Sequence, residues 1–384
     1  MSRVVVVLYK PLEYLPPVMS LLMSLKGVGR EVVFVGVKSE ASEKFLGENG
    51  ISHRYLPYDR SLYKNPTLLT KITHRIVRAL RFYPCRAALR RTLADLRREA
   101  GEITLWFAEV QSAALFGDAW RDFPQRAVTI YELADFKGSA WWGFSFRTFL
   151  CETVVVEPEV NRAREIQKYF GLAERPLVVA NKPSLHPRQF RGEIPQAVME
   201  LLAKVAGRPI FLYQGVWTKD RKDVGMVLET IAKNRPQYCV VAMPGSAAVQ
   251  ALLDRYDNFF AVDYIAPPNH LAVTSLATVG LAIYSTVGRT ELVRKNALFC
   301  APNKIYEYAG FGVPTLGNRL PGLEDTVGRA RAGLCVDLQE EKILSAADEL
   351  VRNHATYSQN ANRFFDETDV EAQVKAVLER AEKR

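Results

Sequence analysis

The feature that most constrains the fold of this chain is an alternation of short apolar runs with longer segments of helical periodicity. Runs rich in Val and Ile predict strands in the first half, at residues 4–8, 31–37, 103–107, 127–131 and 153–157. Residues 15–26 and 162–169 are predicted to be helices between those strands. Strands that alternate with helices favour a parallel sheet covered on both faces.

The pattern restarts after a polar, proline-bearing stretch that begins at Asn181 and ends near Pro195. Further strands are predicted at residues 209–214, 239–243, 259–262, 279–284 and 315–316, with helices at 223–233, 247–256 and 269–277. Because 384 residues are too many for one ordinary core, two domains are expected. We therefore predict an α/β chain of two doubly wound, Rossmann-like domains, residues 1–187 and 188–365, with ligand at the carboxyl ends of the strands.

Cysteine use and hydropathy bound the compartment. Five cysteines lie far apart with no C-x-x-C pair, which predicts reduced thiols rather than a disulfide framework or a zinc site. No apolar run approaches the ~18–20 residues of a membrane-spanning helix. The opening MSRVVVVLY predicts a buried first strand rather than a signal peptide. We expect a cytoplasmic protein.

The net charge of +9 is concentrated in the first half, where residues 1–187 hold 27 Lys+Arg against 19 Asp+Glu. Between Lys71 and Arg98 there are nine basic residues and one acid, Asp95, with apolar residues at roughly helical spacing. One interpretation is a basic amphipathic helix on an anionic membrane, which would make the protein peripheral to the inner face of that membrane. The other is a core helix with a solvated basic back. We expect no nucleic-acid partner, because no recognition motif accompanies the charge.

The stretch PNKIYEYAGFGVPT, residues 302–315, indicates a loop that opens a short helix, then a glycine turn and a buried strand. A helix start offers backbone N–H groups and the positive end of the dipole, which favour phosphate, and Asn303 and Lys304 lie there. One turn later Glu307 can accept two hydrogen bonds from a diol such as ribose. The residues thus predict a nucleotide site; the alternative is an amphipathic helix whose Lys and Glu are merely solvated.

The pattern P-N-K-x-x-E-Y-x-x-x-G-x-P, followed by Gly317, Gly322 and Glu324, resembles the nucleotide-sugar signature of retaining GT-B glycosyltransferases of family 4. It is most similar to the branch that builds bacterial cell-surface polysaccharides, and the resemblance covers most of the chain. It implies transfer of a sugar from a nucleotide-diphosphate sugar to a growing, lipid-linked glycan, with Glu307 on the donor ribose. It also implies that a last helix, residues 366–384, packs back on the first domain. Many relatives carry a second Glu eight positions earlier, where this chain has Phe299.

The resemblance also implies that a basic turn after the strand at 209–214 binds the donor phosphates. Gly215 allows close approach of the backbone there, and Arg221 is the first choice among the cations, ahead of Lys219 and Lys222. Further candidates for the donor site are Gly245, Tyr264 and Ile265 near the base, and Glu324 and Thr326 in the loop at 317–327.

Cations and backbone N–H groups can stabilise a diphosphate leaving group without a metal. The chain holds no D-x-D triplet, so we expect no metal site and no obligatory cofactor. Glu109, Glu132 and Asp135 are candidates on the acceptor side, and the five scattered histidines indicate no general base. Two alternatives stay open. One is a nucleotide-sugar epimerase of the same fold, and the other is a non-catalytic subunit that supports a partner enzyme.

Overall fold

A computed structural model of the chain describes residues 3–57, 71–133, 136, 144–184, 187–189, 194–205, 207–215, 217, 222–245, 247–265, 267–287 and 291–384. For residues 71–81, 247–248 and 292 it describes the backbone alone. The chain divides into two compact units. Met1–Val179 together with Val370–Arg384 form the first, and Ala180–Asp369 form the second.

In the described part of the first unit, seven parallel strands make one sheet. They are β1 (Arg3–Leu8), β2 (Glu31–Val37), β3 (Ser52–Leu56), β4 (Ile103–Phe107), β5 (Arg126–Thr129), β6 (Val154–Glu157) and β7 (Leu177–Val178). Their order is β3-β2-β1-β4-β5-β6-β7, and in register Val5 pairs with Val33 on one side and Leu105 on the other. The central strand is buried from Val4 to Leu8, as expected for a parallel sheet with helices on both faces.

The helices that follow these strands in the first unit are α1 (Pro16–Gly27), α2 (Glu40–Glu48), α3 (Lys71–Ala100), α4 (Val110–Phe116), α5 (Phe146–Cys151) and α6 (Val160–Phe170). Their starts carry local signals. The Ser39 hydroxyl accepts from the Ser42 N–H at 3.1 Å to cap α2, and the Glu159 carboxylate accepts from two amides at the start of α6.

The second unit contains six described strands, all parallel. They are β8 (Ile210–Gln214), β9 (Cys239–Met243), β10 (Phe259–Ala261), β11 (Val279–Ala282), β12 (Thr315–Asn318) and β13 (Gly333–Val336). Their order is β10-β9-β8-β11-β12-β13. The helices are α7 (Gln196–Val205), α8 (Lys222–Asn234), α9 (Ala247–Leu253), α10 (Leu271–Thr274), α11 (Glu291–Leu298), α12 (Asn303–Gly310), α13 (Pro321–Leu323), α14 (Glu340–Arg352) and α15 (His354–Glu367).

The last helix, α16 (Val370–Glu382), belongs to the first unit. Val374, Val377 and Leu378 are buried, in one cluster with Val18 and Leu22 of α1. Burial of these apolar side chains supplies the free energy that holds α16 on the first unit.

The predicted α/β fold with two doubly wound domains is confirmed by this topology. The sequence did not predict the strands β3, β7 and β13, nor the helices α2, α4, α5, α7, α11, α13, α14 and α15. The alternating, largely polar sequence SHRYL of β3 gives a partly exposed edge strand, which lacks the apolar run that marks the central strands.

Candidate functional site

The strand order of the second unit reverses between β8 and β11. From β8, the chain adds β9 and β10 on one side, then returns to place β11 on the other side. In open α/β sheets, ligands bind in the crevice that such a reversal leaves at the carboxyl ends of the strands. The residues that follow β8 and β11 are therefore positioned to form a ligand site.

Lys304, in the first turn of α12, lies at this reversal. Its Nζ is 4.6 Å from the centroid of the Tyr213 ring in β8 and 5.2 Å from that of Tyr284, just after β11. An ammonium over two aromatic faces is attracted by both ring quadrupoles, so the two tyrosines hold the charge in place. The Lys304 ammonium is therefore a cation held at the carboxyl ends of β8 and β11.

Gly215, directly after β8, leaves the room that this cation occupies. Its φ is +144°, and a Cβ at this position would lie 3.3 Å from Lys304 Nζ. The Gly215 N–H donates to the Met243 carbonyl at 2.8 Å, so this amide belongs to the sheet. The glycine therefore allows close approach through its missing side chain and not by offering its N–H.

Helix α12 begins at Asn303 after Pro302, and among the described residues no side chain caps its start. The first-turn amides of a helix have no intrahelical carbonyl to bind, and the dipole makes this end positive. Ile305 and Tyr308 anchor the helix, since both are fully buried. Asn303 and Lys304 thus lie at the electropositive start of a helix. The sequence predicted that a helix begins at this point.

Glu307 lies one turn after Lys304 and has a partner that the sequence did not indicate. The His270 Nε2 is 3.3 Å from Glu307 Oε1, and each side chain is 14% exposed. His270 directly precedes α10, which packs against α12. Glu307 is thus a largely buried carboxylate in contact with an imidazole rather than a freely solvated acid.

The two candidates near the base have different surroundings. Tyr264 is 68% exposed, whereas Ile265 packs against a buried cluster that contains Tyr308 and Val313. The Gly245 N–H donates to the Val262 carbonyl at 3.0 Å, and a Cβ on Gly245 would lie 3.5 Å from Asp263 Oδ1.

Glu324 and Thr326 lie in the turn that continues α13. The Thr326 hydroxyl donates to the Gly322 carbonyl at 2.7 Å, so it is engaged within its own helix. Glu324 Oε1 lies 3.4 Å from Arg319 Nε, and both of these side chains are about half exposed.

Of the basic turn after β8, Lys222 is described and is the exposed first residue of α8. Arg221 and Lys219 lie outside the described residues. The buried Trp217 ring contacts α8, because a Cβ on Gly225 would lie 2.6 Å from its Cζ2. This contact fixes where the turn meets the helix that Lys222 begins.

In the first unit the strand order reverses between β1 and β4, and Lys10 and Glu109 follow these two strands. The Lys10 ammonium forms an ion pair with Glu109 Oε2, and the Ser112 hydroxyl donates to Glu109 Oε1 at 3.2 Å. Glu109 is 1% exposed, and this burial raises its pKa against the opposing effect of Lys10. Glu109 thus lies at the corresponding crevice of the first sheet but is enclosed.

Another buried carboxylate, Glu157 at the end of β6, pairs with Arg162 at 3.0 Å. Burial raises the pKa of Glu157 to about 8 although Arg162 opposes the shift, and the charges of Glu159 and Glu132 add to it. Glu132 itself is exposed, and Asp135 lies outside the described residues. Of the three acceptor-side candidates, only Glu109 and Glu132 can therefore be placed.

Two arginines of the basic helix α3 form hydrogen bonds inside the first unit. Arg86 Nε donates to the Leu115 carbonyl at 2.9 Å and Arg90 Nε to the Phe116 carbonyl at 3.1 Å. Both guanidinium groups thus bind carbonyls at the end of α4, where the helix dipole favours cations. Side chains of residues 71–81 lie outside the description.

Two kinds of feature are absent from the described residues. No helix there is long and apolar enough to cross a membrane. No group of three or more His, Cys, Asp or Glu is placed there to hold a metal ion.

Sequence reasoning missed His270, Tyr213 and Tyr284 as parts of this site. Tyr213 and Tyr284 lie in apolar runs that predict strands, so the sequence did not mark them as site residues. His270 lies 37 positions before Glu307, and no sequence motif links the two. The strand order brings the two tyrosines to α12, and the packing of α10 on α12 brings His270 there.

Comparisons with known proteins bear on the fold. No protein-family profile matches the chain, and no curated protein matches it in sequence. Solved structures do match. One is HepE of Anabaena in complex with UDP and glucose, at a TM-score of 0.68 and 12% identity over 100% of both chains. Another is a glycosyltransferase from Rickettsia africae, at a TM-score of 0.65 and 11% identity, which covers 100% of this chain and 98% of that one.

A third similar structure is WaaG, a glycosyltransferase involved in lipopolysaccharide biosynthesis, at a TM-score of 0.58 and 13% identity over 98% of both chains. At these identities what is shared is the fold. The likeness over whole chains confirms the predicted GT-B fold class.

Proposed function

We propose that this chain is a retaining glycosyltransferase, which moves a sugar from a nucleotide-diphosphate sugar to a growing, lipid-linked cell-surface glycan. The observation that carries the proposal is the Lys304 ammonium at the strand-order reversal, held between Tyr213 and Tyr284 one turn before Glu307. A fixed cation at a helix start suits a diphosphate, and a carboxylate one turn later suits a ribose diol. UDP and glucose bound to HepE, which shares the fold, support a nucleotide-sugar donor.

The chemistry asks little else of the protein. The bond between the anomeric carbon and the diphosphate oxygen breaks, the acceptor hydroxyl oxygen bonds to that carbon, and the leaving phosphate takes the hydroxyl proton. Negative charge develops on the diphosphate, where Lys304 and the cations Arg221, Lys219 and Lys222 stabilise it. In this scheme the cations replace a metal, so transfer needs no divalent ion.

The remaining donor contacts are assigned by position. Tyr264 exposes its ring and Ile265 lies beside it, so this segment with Gly245 borders the base. Asn303 lies at the helix start with the diphosphate, and Glu324 and Thr326 are assigned to the donor from the sequence signature. The second unit, which the sequence analysis predicted as residues 188–365, binds the donor.

We assign acceptor binding to the first unit, which the sequence analysis predicted as residues 1–187. Its candidate contacts to the acceptor are Glu109, Glu132 and Asp135. Glu109 lies at the strand-order reversal of that sheet, the position of the donor cation in the other unit. WaaG, which shares the fold, is involved in lipopolysaccharide biosynthesis, and this supports a glycan acceptor.

The first test is a thermal-shift panel with UDP, GDP, ADP and CMP. A nucleotide that binds only the native state raises the apparent stability by mass action. We expect one nucleotide to produce a shift, which Glu307→Ala abolishes and Glu291→Ala, at the exposed first residue of α11, leaves intact. No shift with any nucleotide from folded protein would refute the proposal.

Transfer is then measured with the sugar nucleotides of the base that binds, using membrane extracts as the acceptor source. Glu307→Ala and Arg221→Ala should each abolish transfer with little loss of fold. Retention is read from the anomeric configuration of the product by NMR, and inversion would refute that part of the proposal. Full transfer in the presence of EDTA is expected.

A second candidate, a non-catalytic subunit, is favoured by one observation, which is Phe299 at the position of the first family Glu. The two candidates differ in one result. Purified protein that binds nucleotide but transfers and hydrolyses nothing until a partner is added would favour the subunit.

We also propose that α3 contacts the cytoplasmic face of an anionic membrane, through exposed cations such as Arg91 and Arg98. Sedimentation with vesicles that contain phosphatidylglycerol, but not with neutral vesicles, is expected, and Arg91→Gln/Arg98→Gln should weaken it. Arg86 is left intact because it binds carbonyls of α4. Equal sedimentation with both vesicle types would argue against this contact.

A further inference from the structure

The structure brings the His270 side chain to Glu307. Its Nε2 is 3.3 Å from Glu307 Oε1, at the outer edge of hydrogen-bond range, and both side chains are 14% exposed. The backbone of His270 is fixed, since its carbonyl accepts from the N–H of Val273 at 3.0 Å and from that of Thr274 at 3.3 Å. The imidazole therefore meets Glu307 from a rigid helix start.

The other ring nitrogen defines the tautomer. His270 Nδ1 is buried and has no hydrogen-bond partner among the described residues. In a neutral imidazole one nitrogen carries the proton and the other accepts. A proton on Nδ1 would bury a donor with no acceptor and would turn a lone pair of Nε2 toward a carboxylate. The tautomer with the proton on Nε2 is therefore the favoured one, and it places an N–H group 3.3 Å from Glu307 Oε1.

We propose that His270 is a positioning residue for Glu307 and sets how strongly the site prefers ribose over 2′-deoxyribose. The inference rests on the proposed function, in which Glu307 binds the ribose of the donor. Each carboxylate oxygen can accept more than one hydrogen bond, so Oε1 can hold the Nε2–H and leave room for the diol. A Glu side chain fixed beforehand also loses less rotamer entropy when the nucleotide binds.

The test compares His270→Leu, which removes the donor, with His270→Gln, whose amide N–H replaces it. Titration calorimetry gives the affinity of each variant for UDP, GDP and ADP and for their 2′-deoxy forms. We expect His270→Leu to lower the ribose preference about ten-fold, the worth of one hydrogen bond to a charged group, and His270→Gln to restore most of it. His53→Leu, in β3, is the control and should leave the preference unchanged.

A merely structural role would give a different result. Loss of packing around α12 would weaken ribose and 2′-deoxyribose nucleotides equally and leave their ratio unchanged. An unchanged ratio in His270→Leu, with nucleotide still bound, would overturn the inference and leave the proposed function standing.

A second measurement does not depend on nucleotide. Spectra of ¹⁵N-histidine-labelled protein should identify His270 as the Nε2–H tautomer, and Glu307→Ala should shift its Nε2 resonance. The Nδ1–H tautomer, or no response to Glu307→Ala, would overturn the contact itself. If the contact is found but the folded protein binds no nucleotide, the proposed function fails and the assignment to ribose fails with it.

Discussion

The Tyr308 ring of α12 occupies the space that a side chain at Gly280 of β11 would need. A Cβ at Gly280 would overlap Tyr308 Cδ2, Cε2 and Cγ. The Tyr308 hydroxyl also donates to the Leu212 carbonyl at 3.1 Å and accepts from the Gln214 N–H at 3.3 Å. One buried tyrosine therefore fixes the helix that carries Lys304 against both strands that flank the reversal.

Gly280→Ala should destabilise the protein by about 1–3 kcal/mol, the usual cost of overpacking a core. It should also weaken nucleotide binding, because α12 must shift to accommodate the methyl group. Urea unfolding and the thermal-shift panel measure the two effects. Gly47→Ala, at an exposed position of α2 with nothing within 4 Å of a Cβ, is the control and should be neutral or slightly stabilising. Equal stability of both variants would contradict the packing described here.

Gly215→Ala should weaken nucleotide binding about ten-fold or more, a loss of roughly 1.4 kcal/mol, because the new methyl group would lie 3.3 Å from Lys304 Nζ and displace it. The matched control is Gly207→Ala, whose φ of +74° is also unfavourable but whose Cβ would meet nothing within 4 Å. Both variants should lose about 1–3 kcal/mol of stability from backbone strain. Only Gly215→Ala should lose affinity for the nucleotide in calorimetric titration. Equal affinities of the two variants would show that Gly215 is not part of the nucleotide site.

Lys304→Met keeps the aliphatic stem between the two tyrosine rings and removes the charge. A nucleoside diphosphate should bind about 10- to 100-fold more weakly, as expected for the loss of a charge-assisted contact, while the nucleoside alone should bind nearly as before. Lys233→Met, on the exposed side of α8, should change neither affinity. A uniform loss for diphosphate and nucleoside would point to damage to the fold instead of loss of a phosphate contact.

The pH dependence of stability should change in Glu157→Gln. Burial raises the pKa of Glu157 from 4.5 to about 8, so between these values the folded state holds a proton that the unfolded state releases. The contribution of Glu157 to stability is complete below about pH 4.5 and falls as pH rises through about 8. Urea unfolding across this window should show Glu157→Gln gaining stability relative to wild type as pH rises. The exposed Glu48→Gln serves as the control, and a constant difference for Glu157→Gln would show that the buried carboxyl stays ionised.

The sequence alone determined the two doubly wound units and the start of α12. Interior strands such as β4, residues 103–107, are buried on both faces, so a continuous apolar run marks their position. Lys304 and Glu307 follow from a local pattern, because residues three apart on a helix are neighbours whatever surrounds them. Such signals are local, and a single sequence carries them in full.

Only the tertiary structure decided what surrounds these residues. Tyr213 and Tyr284 come to α12 because β11 pairs with β8 after the strand order reverses. His270 comes there because α10 packs against α12, and no local pattern encodes either contact. For the same reason the structure gave Glu109 its Lys10 partner and engaged the Thr326 hydroxyl within its own helix. Burial and hydrogen bonding depend on residues far apart in the chain, so side-chain roles that depend on them needed the fold.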